Sequence, residues 1–123
     1  MAAEWNPTEL ERIAATREIE VSSLREDGAL TKPVTIWCVR VEGELYIRSV
    51  RGDAGGWFRS AEQRHEGRIE ADDVAVDVYF EDAPHHLDDE IDGAYRMKYG
   101  DSKSLDSMIA EAAKATTIRV VPR

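Results

Sequence analysis

A chain of 123 residues, 42% hydrophobic and 33% charged, has the size of about one domain and enough apolar mass for a single core. Its net charge of −9 disfavours nucleic acid as a partner, because binding a phosphate backbone wants a basic stripe. The single cysteine, Cys38, permits no internal disulfide, Met1 leads into Ala-Ala-Glu-Trp-Asn without a basic and apolar leader, and no apolar run approaches the about 18 residues of a bilayer span, so a cytoplasmic protein with no membrane partner is expected.

The first helix is marked by Asn6 as N-cap, Pro7 at the first helical position and Glu9 three residues after the cap. Trp5 and Leu10 have the spacing of a hydrophobic staple, and Leu10, Ile13 and Ala14 mark one face. The helix gives way near Arg17 to a strand, Ile19 to Leu24, and a loop containing Asp27-Gly28 is closed by Pro33. Val34 to Val41 is apolar on both faces, which predicts a central strand. Glu42-Gly43-Glu44 turns it into an antiparallel partner, Leu45 to Val50.

Gly52, Gly55 and Gly56 lead into a helix read from Trp57, Ala61 and Arg64, with Gly67 as its stop. Arg68 to Ala71 reads as a short strand turned at Asp72-Asp73. Val74, Val76, Val78 and Phe80 then alternate with Ala75, Asp77, Tyr79 and Glu81, the pattern of a half-buried strand with the valines inward. Leu87, Ile91, Ala94, Tyr95 and Lys98 trace a helix ending at Gly100. Leu105, Met108, Ile109, Ala112 and Ala113 trace another, capped by Ser102 or Ser104. Thr116 to Val121 is a last strand stopped by Pro122. With no linker, repeat or low-complexity segment, residues 1–123 read as one α+β domain with six strands.

Few residues declare chemistry. His85-His86 before Asp88, Asp89 and Glu90 matches no zinc or calcium spacing, and acidic residues in a first helical turn favour its positive end, so no metal site is expected. Cys38 sits mid-strand among apolar residues, where cysteine behaves as a small hydrophobe. No Gly-x-Ser-x-Gly elbow, P-loop or Gly-x-Gly-x-x-Gly is present. What remains is a locally basic stretch, Arg48, Arg51, Arg59, Arg64 and Arg68, in an otherwise acidic chain. Arg48, Ser49 and Arg51 close a strand before a glycine-rich turn into a helix, with Lys32 and Thr35 at the start of the partner strand. A hydroxyl, a basic side chain and backbone N–H groups at a helix start are the ingredients of a phosphate site; equally, the arginines can pair with the acidic surface.

The stretches Lys32-Pro33-Val34-Thr35-Ile36-Trp37-Cys38-Val39-Arg40, Glu42 to Gly52 and Trp57-Phe58-Arg59 are similar to the core of the deazaflavin-dependent nitroreductases, within the FMN-binding split-barrel group that includes pyridoxamine phosphate oxidases. Over nearly its full length the chain also resembles a bacterial domain-of-unknown-function family, on Pro33 to Trp37, Ser49 to Gly52, His65 to Arg68, Tyr95 to Tyr99 and Ala115 to Arg123. The resemblance implies a six-stranded antiparallel split β-barrel with flanking helices and a homodimer. It also implies FMN or a deazaflavin as cofactor, with Lys32, Ser49, Arg51 and Gly52 on its phosphate, Thr35 and Trp37 along the cofactor-facing strand, and Trp57 at the following helix. Glu66-Gly67 stands where that group commonly has Asn-Pro, and the C-terminal helices, about 87–114, are not standard in it. The implied function is flavin-type binding, in an oxidoreductase acting on a small organic molecule, with no catalytic acid or base singled out. The alternative is a cofactor-free split-barrel dimer serving as an interaction or small-ligand-binding module.

Overall fold

The structure is a computed structural model and describes residues 4–49, 56–71, 74–100 and 102–123. Helix α1 (Pro7–Ala15) starts as its sequence dictates, the Asn6 side chain accepting from the N–H groups of Thr8 and Glu9. Strand β1 (Ile19–Ser23) follows, then β2 (Val34–Ile36), β3 (Cys38–Val41), β4 (Glu44–Ile47), helix α2 (Gly56–Arg64), β5 (Glu66–Ala71) and β6 (Val74–Asp82). A 3₁₀ turn (His85–Leu87), helices α3 (Asp88–Tyr99), α4 (Leu105–Met108) and α5 (Glu111–Lys114), and strand β7 (Ile118–Pro122) complete the chain. Among the described residues, no helix is long and apolar enough to cross a membrane.

The seven strands form one antiparallel sheet in the order β2-β1-β5-β6-β7-β4-β3. Its two end strands, β2 and β3, are separated in sequence by Trp37 alone, so the sheet has to curl until its ends meet. The result is a nearly closed barrel with one seam, the split β-barrel that the sequence predicted. The seventh strand arises because the segment read as one central strand, Val34 to Val41, is broken at Trp37 into two edge strands. Its two-sided apolar pattern has another cause. Cys38 faces the barrel core, whereas Val39 packs under α3 with Tyr46, Ile91, Tyr95 and Tyr99.

The main core joins alternate residues of the sheet (Val21, Ile69, Val78, Phe80, Leu45, Ile47 and Val120) to Trp5, Leu10 and Ile13 near α1 and to Trp57, Phe58 and Ala61 of α2. Each such large side chain contributes about 1.5–3 kcal/mol on burial. In β6, Val78 and Phe80 are buried and Val74 and Val76 pack against the core, while Asp77 and Tyr79 face out, which is the predicted register. Three boundaries differ from expectation. Helix α2 ends at Arg64 with His65 in the left-handed region (φ 59°), and Gly67, read as the stop, lies inside a β5 that begins at Glu66 rather than Arg68. The helix read across Leu105 to Ala113 is two single turns, divided at Ile109 and Ala110; the Ser104 N–H donates to Ser102 Oγ, but neither serine caps α4 through a side-chain bond of its own. The last strand starts at Ile118, after Thr116 and Thr117 turn their hydroxyls back onto Ala113 and Lys114 carbonyls, and it includes Pro122.

Candidate functional site

The break at Trp37 is a built feature. An edge strand leaves N–H and C=O groups without a strand partner, and at Cys38 both are met by side chains of α3. The Tyr99 hydroxyl accepts from the Cys38 N–H at 3.2 Å and donates to the Arg17 carbonyl at 2.5 Å, while Lys98 Nζ donates to the Cys38 carbonyl at 2.7 Å. Tyr99 also stacks on the Trp37 indole, with ring centroids 3.9 Å apart and planes 2° from parallel. Arg17 and Lys98 lie over the Tyr99 ring, 5.3 and 5.1 Å from its centroid. Burial raises the Tyr99 hydroxyl pKa, and it raises that of the Cys38 thiol against the opposing pull of Lys98. The same burial lowers the Lys98 ammonium pKa, against the raising influence of Cys38. A buried thiol held protonated is no nucleophile.

On the β2 side of this seam lies a cavity of about 650 Å³. Lys32, Thr35, Trp37, Ser49 and Trp57 all line it, although they come from the loop before β2, β2 itself, the break, the end of β4 and the start of α2. Arg51 and Gly52, the other two residues expected at a cofactor, lie outside the described residues. Val34 and Ile36 add apolar wall. The wall is held from behind: the Ser23 hydroxyl donates to the Trp57 carbonyl at 2.8 Å, and the Ser23 N–H donates to the Thr31 hydroxyl at 2.9 Å. The Ser49 N–H donates to the Thr116 hydroxyl at 2.8 Å. Among the described residues, no carboxylate forms an ion pair with Lys32.

Glu18, Thr31, Ser60, Ser104 and Met108 also line the cavity and had not been singled out for it from sequence, and Arg48, grouped there with Ser49 and Arg51, lines it as well. Arg48, expected in a basic cluster at the strand end, is fully buried. Its Nη1 donates to Asp92 Oδ1 at 2.6 Å and to the Met108 carbonyl at 3.1 Å, and its Nε donates to the Thr117 hydroxyl at 2.9 Å. The guanidinium also sits 5.3 Å from the Tyr95 ring centroid. Asp92 Oδ2 pairs with Lys114 at 3.0 Å. Burial pushes the Asp92 carboxyl up, but the bonds from Arg48 and Lys114 outweigh it and hold the pKa below its ordinary value. The signal in the sequence was an aspartate on the apolar stripe of α3 beside Ile91 and Tyr95, since a buried carboxylate demands a cation. Elsewhere Arg68 pairs with Asp77 at the exposed surface, as the surface-pairing reading of the arginines expects.

A nearly closed antiparallel barrel with one seam and flanking helices is the fold of the split-barrel proteins. Within that class, the chain belongs to the bacterial family DUF2255, described as "Uncharacterized protein conserved in bacteria", whose model matches residues 9–120. No curated protein matches the sequence. Among solved structures the chain is similar to the heme storage protein HutZ from Vibrio cholerae, at 10% identity and a TM-score of 0.71 over 98% of this chain and 92% of that one. It is also similar to an FAD-binding protein from Mesorhizobium loti, at 16% identity and TM-score 0.58 over 99% and 91% of the two chains. An F420 reductase is similar at 16% identity and TM-score 0.55 over 92% and 90%. At these identities the likeness is one of fold.

Proposed function

We propose that the cavity binds a flavin-type cofactor, FMN or a deazaflavin, and that the protein is a cytoplasmic oxidoreductase acting on a small organic molecule. One observation carries this reading: five residues expected at such a cofactor from sequence meet on a single cavity. A volume of about 650 Å³ is in the range of small-molecule and cofactor sites, roughly 300–1,000 Å³. Trp37, Trp57, Val34 and Ile36 offer apolar and aromatic surface to a planar ring, and Lys32, without an ion pair among the described residues, offers an ammonium to a phosphate; Arg51 and Gly52 would join it. When bound, the cofactor supplies the redox chemistry, and the chain's own residues position it and exclude water. Relatives in fold whose names specify FAD and F420 support the same ligand chemistry.

HutZ is named for heme, and a heme site ordinarily carries an axial imidazole, thiolate, phenolate or thioether. Among the described residues, no His, Cys or Tyr lines the cavity, and Met108 is the one thioether there. Titration of the purified protein with FMN, a deazaflavin and hemin, read through tryptophan emission, tests the flavin reading. Trp37 and Trp57, two of the three tryptophans, line the cavity and should be quenched by the flavin-type ligand. Uptake of hemin alone would overturn the assignment, and uptake of none would favour a cofactor-free module.

A further inference from the structure

The cavity wall opposite in sequence to β2 is made by α4, through Ser104 just before it and Met108 at its end. Helices α4 and α5 span four residues each, far below the about 12–15 at which an isolated helix becomes stable in water. Their position is therefore set by tertiary bonds, and those bonds converge on one buried cluster. Arg48, just after β4, donates to the last carbonyl of α4 at Met108, to Asp92 on α3 and to Thr117 before β7. Asp92 in turn holds Lys114, the last residue of α5. A cation on the orphan carbonyls of a helix end is a stabilising arrangement, and here the cluster ties three helices, α3, α4 and α5, to the barrel.

We infer that Arg48 is a positioning residue: through Met108 and Asp92 it fixes α4 as a rigid wall, and Met108 and Ser104 on that wall determine the size of ligand the cavity accepts. The inference rests on the proposed reading only in treating the cavity as a binding site, and it applies to any small apolar or aromatic ligand there. Size selection by a packed wall is effective because one methylene in an apolar pocket changes discrimination about tenfold or more. Arg48 is too deeply engaged to serve as a ligand's counter-ion, since its charge already faces Asp92.

The test uses the full chain with anilinonaphthalene sulfonate and its larger covalent dimer as probes, both of which brighten in apolar cavities. Ser104 is exposed, so Ser104→Trp should leave the melting temperature unchanged, yet it should raise the ratio of the dimer's Kd to the monomer's about tenfold. Met108→Ala, which widens the cavity, should lower that ratio. The apolar pair replacement Arg48→Met with Asp92→Leu should lower it in the same direction with α4 released, and Arg48→Lys should follow it. Should the double variant fail to fold, the Ser104 and Met108 variants still decide the wall, and Arg48→Lys decides the positioning role. A ratio unchanged in Ser104→Trp and Met108→Ala overturns the wall; a wild-type ratio in a folded Arg48→Lys overturns the role of Arg48. FMN titrated in parallel separates the two readings: probe uptake without FMN uptake contradicts the flavin proposal and leaves the wall standing or falling on its own ratio.

Discussion

At the scale of single residues, a charged network joins Arg48, Asp92 and Lys114, with Arg48 and Asp92 buried and Lys114 partly exposed. Removing one partner of such a pair leaves a buried charge uncompensated, so Asp92→Ala should cost about 3–5 kcal/mol, measured by urea unfolding. Replacing both Arg48 and Asp92 by apolar residues should cost far less. The pH dependence follows in sign from the depressed Asp92 carboxyl: the unfolded state takes up the proton first as pH falls. The contribution of Asp92 is complete above the unfolded aspartate pKa of about 3.9 and is lost as pH drops through that value towards the lower folded one. Asp92→Asn should therefore be less stable at neutral pH and lose less further stability below about pH 4. The cavity residues differ in how much their sequence says. Lys32, Thr35, Trp37, Ser49 and Trp57 sit in short local patterns that a family resemblance can pick out. Arg48 reads locally as one more surface cation, because its partners, Asp92, Met108 and Thr117, lie 44 to 69 residues away.

Among the elements, α1, the hairpin of β3 and β4, and β6 were legible, each because its own residues decide it: a cap and proline, a two-residue turn, and a period of two. The break at Trp37 was not, because an unbroken apolar run does not reveal that α3 covers one face and supplies Tyr99 and Lys98 to the exposed edge. Gly67 was misplaced for a similar reason. Its need for glycine comes from a neighbour, not from a turn: an added Cβ would meet the Ser22 carbonyl and stand 2.6 Å from Phe80 Cε2. Gly67→Ala should accordingly destabilise the protein by about 1–3 kcal/mol in thermal unfolding, as overpacking does. A neutral outcome would mean that β1 and β5 can separate there without loss.

For the whole molecule, the connection of the two end strands through one residue explains both the closure of the sheet and the position of the cavity beside the seam. Leu30 and Val34 stand exposed near β2, and Val34 also lines the cavity, apolar surface that a second copy of the chain would cover in a two-fold dimer. Light scattering should give a dimer mass across micromolar concentrations; a monomer mass throughout would refute that assembly. The central claim is that Lys32 and Arg51 hold the phosphate of a flavin-type cofactor in this cavity, and affinity in charge-removing variants tests it most directly. Titrating FMN and a deazaflavin into wild type, Lys32→Ala and Arg51→Ala should show each variant weakened by roughly 1.5–3 kcal/mol, the worth of a hydrogen bond to a charged group, with the melting temperature of the cofactor-free protein unchanged. Equal affinity in all three proteins, or no binding by wild type, would contradict the account.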